Sequence, residues 1–390
     1  MPANPRPVPT PPSAPAGARM PRPLPRIVAV LALLHAYIGW RLLPALALGV
    51  PGWSVGVILL TLSTLLMPLS LFAGMLTHRR TLADRLSGIG ALAMGLFSSL
   101  LVLTLLRDLA LAVLPGWFGV AVSAAAVPLL ALLVTLIGLV NARRIARVLD
   151  IDVAIDGLAP ALDGFTIVQL SDIHVGATIK SAYVAAIVGR VNTLDADLVA
   201  ITGDVVDGGV PQLRAHTAPL AGLRSRHGSF LVTGNHEYYS GADAWVAEFT
   251  RIGLRVLMNE HVVIEHDGAA LVLAGVTDFS AGHHDPAHRS DPQRALVGAP
   301  AGLTRVLLAH QPRSAEAAEA AGFDLQLSGH THGGQFWPWN LFVRLQQPYT
   351  AGLHRLRRLW VYTSRGTGYW GPPKRFGAPA EITRIRLRPA

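Results

Sequence analysis

The chain has 390 residues, of which 51% are hydrophobic and 15% charged, and its mean hydropathy is +0.41. About a quarter of the residues of an ordinary soluble domain are charged, so this composition excludes a wholly soluble protein and predicts that part of the chain lies in lipid. Cysteine does not occur, which excludes disulfide frameworks, thiolate metal sites and cysteine nucleophiles.

The net charge of +9 is unevenly distributed. Residues 1–150 hold 12 arginines against 3 aspartates, whereas residues 151–390 hold 21 basic and 21 acidic side chains. A pI of 10.5 is typical of nucleic-acid-binding proteins. Here, however, the excess arginines flank apolar runs instead of forming a stripe on a folded domain, so we expect no specific nucleic-acid partner and interpret them as membrane orientation signals.

The N-terminal third consists of a proline-rich segment followed by apolar runs. Residues 1–25 contain ten prolines, and because proline fixes its own backbone and lacks an amide donor, we expect a disordered tail there. Each run that follows reaches the roughly 20 residues needed to cross a bilayer. The runs cover residues 27–50, 53–76, 88–114 and 117–140. We therefore predict four transmembrane helices within residues 26–149.

Arginines cluster at three places along this region, and the two remaining connections carry no charge. They precede the first run (Arg6, Arg19, Arg22, Arg26), separate the second from the third (Arg79, Arg80, Arg85) and follow the fourth (Arg143, Arg144, Arg147). The positive-inside rule then places both termini in the cytoplasm of a multi-pass inner-membrane protein. A signal peptide cleaved after Ala45-Leu46-Ala47 is the alternative for the first run, and it leaves the remaining topology unchanged.

Charged residues also occur inside two of the runs. Arg41 and Asp108 would lie at a similar depth near the outer face, and we expect them to pair because unpaired charge in lipid is costly. The alternative is that each side chain reaches the interface separately.

From Asp150 the composition becomes that of an ordinary α/β domain. Strand-like apolar runs cover residues 165–170, 197–202, 229–233, 304–308 and 323–327, and each ends in a polar loop. Open α/β sheets bind their ligands beyond the carboxyl ends of the strands, where such loops converge.

These loops carry seven side chains with metal-ligand chemistry. Taken singly, each aspartate or asparagine is more typical of a cap or turn, and each histidine of a structural residue; the set at five strand ends is what favours function. Imidazoles combined with carboxylate and amide oxygens suit Mn, Fe or Zn better than Mg or Ca. The seven are Asp172, His174, Asp204, Asn235, His310, His330 and His332.

The order and the residues of these motifs resemble those of a known family. The motifs are Asp172-Ile-His174, Gly203-Asp-Val-Val-Asp207, Gly234-Asn-His-Glu237, His310 and Gly329-His-Thr-His332. They are similar to those of the calcineurin-like metallophosphoesterases over about residues 160–390. The stretches 329–335 and 365–383 resemble a bacterial membrane-associated, phosphodiesterase-like branch. The resemblance implies an α/β fold for residues 150–390: a four-layer α-β-β-α sandwich, with metals at one edge of its two sheets.

The resemblance also implies roles for the individual residues. Asp172, His174 and His332 would hold a first divalent ion, Asn235, His310 and His330 a second, and Asp204 would bridge them. Two cations about 3.5–4 Å apart need a shared carboxylate, and together they acidify a bridging water into hydroxide while holding phosphoryl oxygens.

A further histidine has no place among these ligands. His236 resembles the family's catalytic histidine and would act as general acid or as a charge-stabilising donor; the alternative is that it orients a ligand. Asp207 and Glu237 are interpreted as partners that fix ligands.

The predicted function is hydrolysis of phosphodiesters by a membrane-anchored phosphoesterase with two metals. Family protein phosphatases carry an arginine soon after the second motif, where this chain has Gly208 and Gly209, which argues against a Ser/Thr phosphatase. One alternative is a pyrophosphatase acting on a nucleotide-linked lipid of the UDP-2,3-diacylglucosamine type. Another is a non-catalytic, metal-dependent scaffold. A transporter is disfavoured because the four runs offer no polar pathway.

After the last metal motif, aromatic and basic residues alternate. The aromatic residues are Phe336, Trp337, Trp339, Phe342, Tyr349, Trp360, Tyr369 and Trp370, and the basic ones are Arg344, Arg355, Arg357, Arg358, Arg365, Lys374 and Arg375. One interpretation is a set of core strands with a solvated basic face. The other is a membrane-facing lip that would suit a lipid-linked phosphate ester.

Overall fold

A computed structural model describes residues 24–117 and 119–390. The predicted disordered tail therefore lies outside the described residues, apart from Leu24 and Pro25, which begin the first helix.

Between residues 24 and 143, leaving out residue 118, the structure describes five helices. They are α1 Leu24–Leu46, α2 Gly49–Leu66, α3 Leu69–Leu76, α4 Arg80–Val113 and α5 Val120–Arg143. The second predicted run is divided between α2 and α3 because Pro68, which lacks an amide donor, interrupts it. Within the described residues, four helices (α1, α2, α4 and α5) are long and apolar enough to span a membrane. Helix α4 begins earlier than predicted and includes Arg80 to Arg85.

The predicted charge pair forms at the far end of the bundle. Arg41 Nε donates to Asp108 Oδ2 at 2.7 Å. The same oxygen accepts a hydrogen bond from the Tyr37 hydroxyl at 2.6 Å, and Arg107 Nη1 lies 3.6 Å from Asp108 Oδ1. The carboxylate is thus the centre of a small network that links α1 to α4.

Within the part of the chain that the structure describes, twelve strands form two mixed sheets of six. The strands are β1 Arg147–Ile155, β2 Thr166–Leu170, β3 Leu198–Ile201, β4 Ser229–Leu231, β5 Arg255–Val256, β6 Glu260–His266, β7 Ala269–Gly275, β8 Thr304–Leu308, β9 Leu325–Ser328, β10 Gly352–Leu356, β11 Leu359–Thr363 and β12 Glu381–Pro389. The strand orders are β1-β12-β2-β3-β4-β5 and β10-β11-β9-β8-β7-β6. Strand β1 starts before the predicted domain start at residue 150 and pairs with the C-terminal strand, Arg147 opposite Glu381.

The helices described in the α/β domain are α6 Ser181–Val191, α7 Val210–Thr217, α8 Asn235–Ser240, α9 Ala242–Arg251, α10 Pro292–Ala295 and α11 Ala315–Ala321. All of them except α8 pack on the outer faces of the two sheets. Alternate residues of one strand serve different cores: Ile167 packs between the sheets, whereas Val168 packs with α6 and α9. On the other sheet, Leu307 packs with α10 and α11. Strands buried on both faces read as continuous apolar runs, and the predicted α-β-β-α layering is confirmed.

The sandwich is docked on the membrane helices. Lys374 Nζ lies between α4 and α5 and donates to the Gly95 carbonyl at 2.9 Å and to Thr135 Oγ1 at 3.2 Å. The amide of Arg375 donates to the Gly138 carbonyl at 2.9 Å. Nearer the start of α4, Lys180 Nζ pairs with Asp84 at 2.8 Å. The helices are therefore packed against the α/β domain itself, beyond their covalent connection to it.

Candidate metal centre

The seven predicted ligand residues converge at one edge of the sandwich. Asp172 and His174 follow β2, Asp204 follows β3, and Asn235 begins α8 after β4; these three strands are neighbours in the first sheet. His310 follows β8, and His330 and His332 follow β9, its neighbour in the second sheet. Since the sheets pack face to face, the two sets of loops meet. All the residues except His330, which is partly exposed, are buried.

The backbone turns sharply at most of these positions. The residues with φ between +50° and +70° include Asp172, His174, Asp204, His330 and His332. A left-handed conformation costs a residue other than glycine about 1–2 kcal/mol. It also redirects the chain directly after each strand, so that ligands two residues apart both face the cleft. Directly before His330, only glycine fits at position 329, because a Cβ there would collide with the Asp172 carboxylate.

Two groups of donor atoms result. In the first, His174 Nε2 lies 3.0 Å from His332 Nε2, which lies 3.3 Å from Asp172 Oδ1.

The second group is built around the carboxylate of Asp204. Its Oδ2 lies 3.1 Å from His310 Nε2, and that nitrogen is 3.2 Å from His330 Nδ1. The same oxygen also lies 3.9 Å from His174 Nε2 of the first group. Asp204 thus stands between the two groups.

The donor set fits divalent cations. Imidazole nitrogens from different loops face one another at 3.0 Å and 3.2 Å. The side-chain oxygen of Asn235 is buried and has no hydrogen-bond partner. A buried acceptor without a partner is rare, and a cation would satisfy it. This mixture of nitrogen and oxygen ligands suits Mn, Fe or Zn.

Asp207 orients two histidines from outside the ligand groups. Its Oδ1 accepts hydrogen bonds from His174 Nδ1 at 2.9 Å and from His236 Nδ1 at 2.7 Å. Burial alone would raise the pKa of Asp207, but the charges and hydrogen bonds of the two imidazoles outweigh it and lower the pKa to about 2. The ionised carboxylate directs the Nε2 atoms of both rings toward the cleft. His310 is oriented in the same way, because its Nδ1 donates to the Thr202 carbonyl at 2.7 Å.

Glu237 fixes the loops on which the ligands are carried. Its carboxylate accepts backbone amides from Gly234 at 2.7 Å, Asp204 at 2.9 Å and Val205 at 2.7 Å. Burial and the nearby Asp204 carboxylate raise the pKa of Glu237 to about 7, against the effect of the amide bonds. Its role is to hold the second and third motifs together.

His236 lies at the rim of the centre. Its side chain is 15% exposed, and its Nε2 is 3.9 Å from Asp204 Oδ2. The ring packs edge-on against Trp370, with centroids 5.6 Å apart, and against Tyr239 at 5.3 Å. With Nδ1 committed to Asp207, the Nε2 atom is the one available to a substrate.

Arg375 is the supporting residue that the sequence analysis missed. The sequence pattern placed it among the basic residues of a solvated face or a membrane-facing lip. Its side chain is instead buried and binds carbonyl groups inside the domain. Nη1 donates to the carbonyls of His332 at 3.0 Å and Arg365 at 2.7 Å, and Nη2 lies 3.2 Å from His332 Nδ1. Burial, the His174 ring and this guanidinium lower the pKa of His332 well below its usual value. No spacing in the sequence signals such a contact.

Other basic residues assigned to the solvated face or to the membrane-facing lip also form contacts within the protein. Arg355 pairs with Asp156 at 3.2 Å, Arg357 with Glu319 at 2.9 Å and Arg365 with Glu381 at 2.8 Å. Lys374 is buried between the membrane helices. These charges are engaged within the protein: Arg355 and Arg357 in exposed ion pairs, Arg365 with a buried carboxylate, and Lys374 with the Gly95 carbonyl.

The aromatic residues divide into two sets. Phe336 and Tyr369 are buried, and Trp360, a half-buried residue of β11, packs against the core between the sheets, as the core interpretation predicts. In contrast, Trp339 is 43% exposed, Phe342 52% and Trp370 49%.

One member of the exposed set contacts a membrane helix directly. Trp339 Nε1 donates to Ser98 Oγ of α4 at 2.9 Å. An exposed apolar surface therefore runs from a membrane helix along residues 337–345, and the exposed Trp370 lies beside His236.

Comparison with known proteins agrees with this geometry. The sequence pattern of the family Calcineurin-like phosphoesterase matches residues 165–334. A transmembrane protein with metallophosphoesterase domain from Bos taurus is 41% identical over 278 residues, which cover 67% of this chain and 63% of that protein. An uncharacterized metallophosphoesterase of Helicobacter pylori is 40% identical over 57% of this chain and 60% of its own length.

A third relative is matched over most of its length. An uncharacterized metallophosphoesterase of Aquifex aeolicus is 32% identical over 57% of this chain and 84% of its own. The vertebrate relatives are longer: this chain spans slightly less than two thirds of their length, 63% in Bos taurus and 62% in Danio rerio.

Proposed function

This chain belongs to the calcineurin-like phosphoesterase family, and we propose that it is a phosphodiesterase with two divalent metal ions, anchored in a membrane by its apolar helices. The observation that carries the proposal is the position of Asp204, whose Oδ2 lies 3.1 Å from His310 of one ligand group and 3.9 Å from His174 of the other. A carboxylate placed between two sets of converging donors is what a dinuclear centre needs.

The ligand residues divide between the two ions. Asp172, His174 and His332 would hold one ion, Asn235, His310 and His330 the other, and Asp204 both. When bound, such ions activate a water molecule for attack on phosphorus and offset the charge on the phosphoryl oxygens. Mn, Fe and Zn are the candidates that match these ligands.

The remaining chemistry belongs to His236. Its Nε2 faces the cleft, and its Nδ1 donates to Asp207 at 2.7 Å. Protonated on both nitrogens, the ring would donate a proton from Nε2 to the leaving oxygen, and Asp207 would stabilise the cationic form. Such a general acid typically contributes 10²- to 10⁴-fold in rate.

We favour a diester over a monoester as the substrate because no arginine directly follows the second motif. Gly208 and Gly209 stand where family phosphatases have an arginine. Arg375, although close to His332, is engaged with carbonyl groups. A diester carries one negative charge where a monoester carries up to two, so it depends less on an additional cation at the protein surface.

A lipid-linked substrate is the more specific alternative, of the kind a pyrophosphatase on a nucleotide-linked lipid would cleave. The exposed side chains of Trp339 and Phe342 support it, since they continue from α4. Aromatic side chains prefer the membrane interface. Replacement of Trp337 and Trp339 by alanine should reduce hydrolysis of micellar substrates while sparing water-soluble ones. An equal loss on both would remove the argument for a lipid.

We propose the cytoplasmic side of an inner membrane for the catalytic domain. The arginines before α1 and after α5 support this orientation through the positive-inside rule. Protease added to right-side-out vesicles should leave residues 150–390 intact, and protease added to inverted vesicles should degrade them. The opposite pattern would reverse the orientation.

The proposed reaction is tested with the purified full-length protein. Phosphomonoesters, phosphodiesters and lipid pyrophosphates are offered with Mn, Fe or Zn, to wild type and to Asp204→Asn. We expect metal-dependent diester hydrolysis that Asp204→Asn abolishes and that Asp152→Asn, an exposed aspartate on β1, leaves unchanged. Metal binding without hydrolysis of any ester would favour the scaffold alternative.

A further inference from the structure

A second cluster of metal-binding side chains lies at the opposite edge of the sandwich. Asp197 immediately precedes β3, His227 precedes β4, and His266 ends β6. The catalytic residues follow the carboxyl ends of β3 and β4, so this cluster stands at the other end of the same strands. It also joins the two sheets, because β3 and β4 belong to the first and β6 to the second.

His266 occupies a position that the strand pattern assigns to the core. Along β6 the inward-facing residues are Val262, Ile264 and His266, and the first two pack in the core between the sheets. The His266 ring contacts Phe165 edge-on, with centroids 4.9 Å apart. An imidazole at the inner face of a strand needs a polar partner, which the neighbouring loops provide.

The donor atoms converge as those of the catalytic centre do. His227 Nε2 lies 3.0 Å from His266 Nδ1, and that nitrogen lies 3.7 Å from Asp197 Oδ1. All three donor atoms lie within 4.8 Å of one another. Ligands about 2.0–2.1 Å from a tetrahedral zinc ion stand roughly 3.3 Å apart, which falls between the two measured distances.

Each ligand is oriented by a further contact. Asp267 Oδ2 lies 3.3 Å from His266 Nε2, so the proton of that ring belongs on Nε2 and the lone pair of Nδ1 faces His227. A carboxylate behind the non-ligating nitrogen is the usual support of a metal-bound histidine. Asp197 Oδ2 accepts the Thr166 amide at 2.7 Å, which leaves Oδ1 directed at the cluster.

The charge balance also favours a cation. The guanidinium of Arg226 lies near the cluster. It donates two hydrogen bonds to the Asp267 carboxylate, of 3.0 Å and 2.6 Å. Its charge is therefore offset by Asp267, and the Asp197 carboxylate remains to compensate a bound ion.

We propose that Asp197, His227 and His266 form a third metal site, which binds Zn²⁺ with water in the fourth position. Two imidazoles and one carboxylate are an established zinc ligand set. The ion would crosslink the two sheets at the edge away from the proposed reaction. The site does not depend on the proposed reaction.

Zinc content measures this site directly. Full-length protein in detergent is equilibrated with Zn²⁺, and bound zinc is counted per chain. We expect three equivalents in wild type and two in His266→Gln, with the hydrolysis rate unchanged. His261→Gln, on the same strand but bonded to the Ala295 carbonyl, is the matched control and should retain all three.

A second variant separates loss of metal from loss of fold. Asp267 is 57% exposed in its side chain and lies in the turn between β6 and β7, so Asp267→Asn should fold. Because it removes the support of His266 but no ligand, the zinc affinity of this site should fall about 10- to 100-fold. Equal zinc content in wild type and His266→Gln, together with an unchanged affinity in Asp267→Asn, would overturn the proposal.

Discussion

Lys374 and Arg375 are consecutive residues whose side chains bind opposite parts of the molecule. The Lys374 ammonium donates to Gly95 and Thr135 of two membrane helices, at 2.9 Å and 3.2 Å. The Arg375 guanidinium donates to the carbonyl of His332, a predicted metal ligand, at 3.0 Å. The membrane helices and the metal centre are therefore joined through two adjacent residues of one loop.

Removal of the Lys374 side chain should destabilise the protein. Lys374→Ala leaves buried carbonyl and hydroxyl groups without a donor, and hydrogen bonds to charged groups contribute about 1.5–3 kcal/mol. Lys374→Met should cost less than Lys374→Ala, because a side chain of similar volume leaves no cavity between the helices.

The measurement is denaturant unfolding of the full chain in detergent. Lys180→Ala is the matched control, because it breaks an exposed ion pair with Asp84 that should contribute less than about 1 kcal/mol. Equal effects of Lys374→Ala and Lys180→Ala would contradict a specific role for Lys374 in docking the domain.

Arg375 should act on metal affinity through His332. Arg375→Gln removes the guanidinium that holds the His332 carbonyl at 3.0 Å, and because the backbone of this predicted ligand is then no longer fixed, metal binding should weaken about 10-fold. Excess metal should then restore much of the activity. Arg375→Lys should not rescue affinity, because a lysine cannot reproduce the planar fork of donors.

Metal titration followed by activity and by calorimetry checks this expectation. Arg384→Gln, which removes a surface arginine that pairs with Asp150 on β1, is the matched control and should leave the titration curve in place. An Arg375→Gln curve that coincides with wild type would exclude the positioning role.

Substitution of His236 and substitution of Asp207 should have different effects on kcat and on metal binding. His236→Asn should lower kcat by about 10²- to 10⁴-fold while both metals stay bound, because the ring is not placed among the ligands. Asp207→Asn should lower kcat and weaken metal binding together, since Asp207 orients both His236 and His174. Metal content and kcat of the two variants distinguish them, and a His236→Asn protein without metal would show that His236 is itself a ligand.

In the membrane bundle, Asp108 should matter more than Arg41. Asp108 accepts hydrogen bonds from Arg41 and Tyr37 and also lies near Arg107, so Asp108→Asn leaves two guanidinium groups without an anion. Arg41→Gln leaves Asp108 with its other partners. We therefore expect a larger loss of folded protein in membranes from Asp108→Asn than from Arg41→Gln. The reverse order would mean that the network does not centre on Asp108.

The sequence predicted those parts of the structure that have a local signal. Strand β8 coincides with the predicted run 304–308, and the predicted ligands lie where that pattern places them, at the ends of apolar strands. These features depend on neighbours in the chain, so periodicity and composition are enough to find them.

The features without a local signal could not be predicted. The pairing of β1 with β12 joins Arg147 to Glu381, and no pattern in either segment specifies a partner so far away. The burial of Arg375 depends on carbonyl groups of other loops, and its neighbours in the sequence look like a basic surface. In the second cluster, His227 and His266 are separated along the chain by strands β4 and β5, helices α8 and α9 and most of strand β6.

The central claim is that Asp204 is shared by two metal ions. The most direct measurement is anomalous X-ray scattering from crystals of the full-length protein loaded with Mn²⁺. Two peaks about 3.5–4 Å apart are expected, both in contact with Asp204, one with His174 and His332 and the other with His310 and His330. A single peak, or an Asp204 carboxylate that contacts only one ion, would contradict the account.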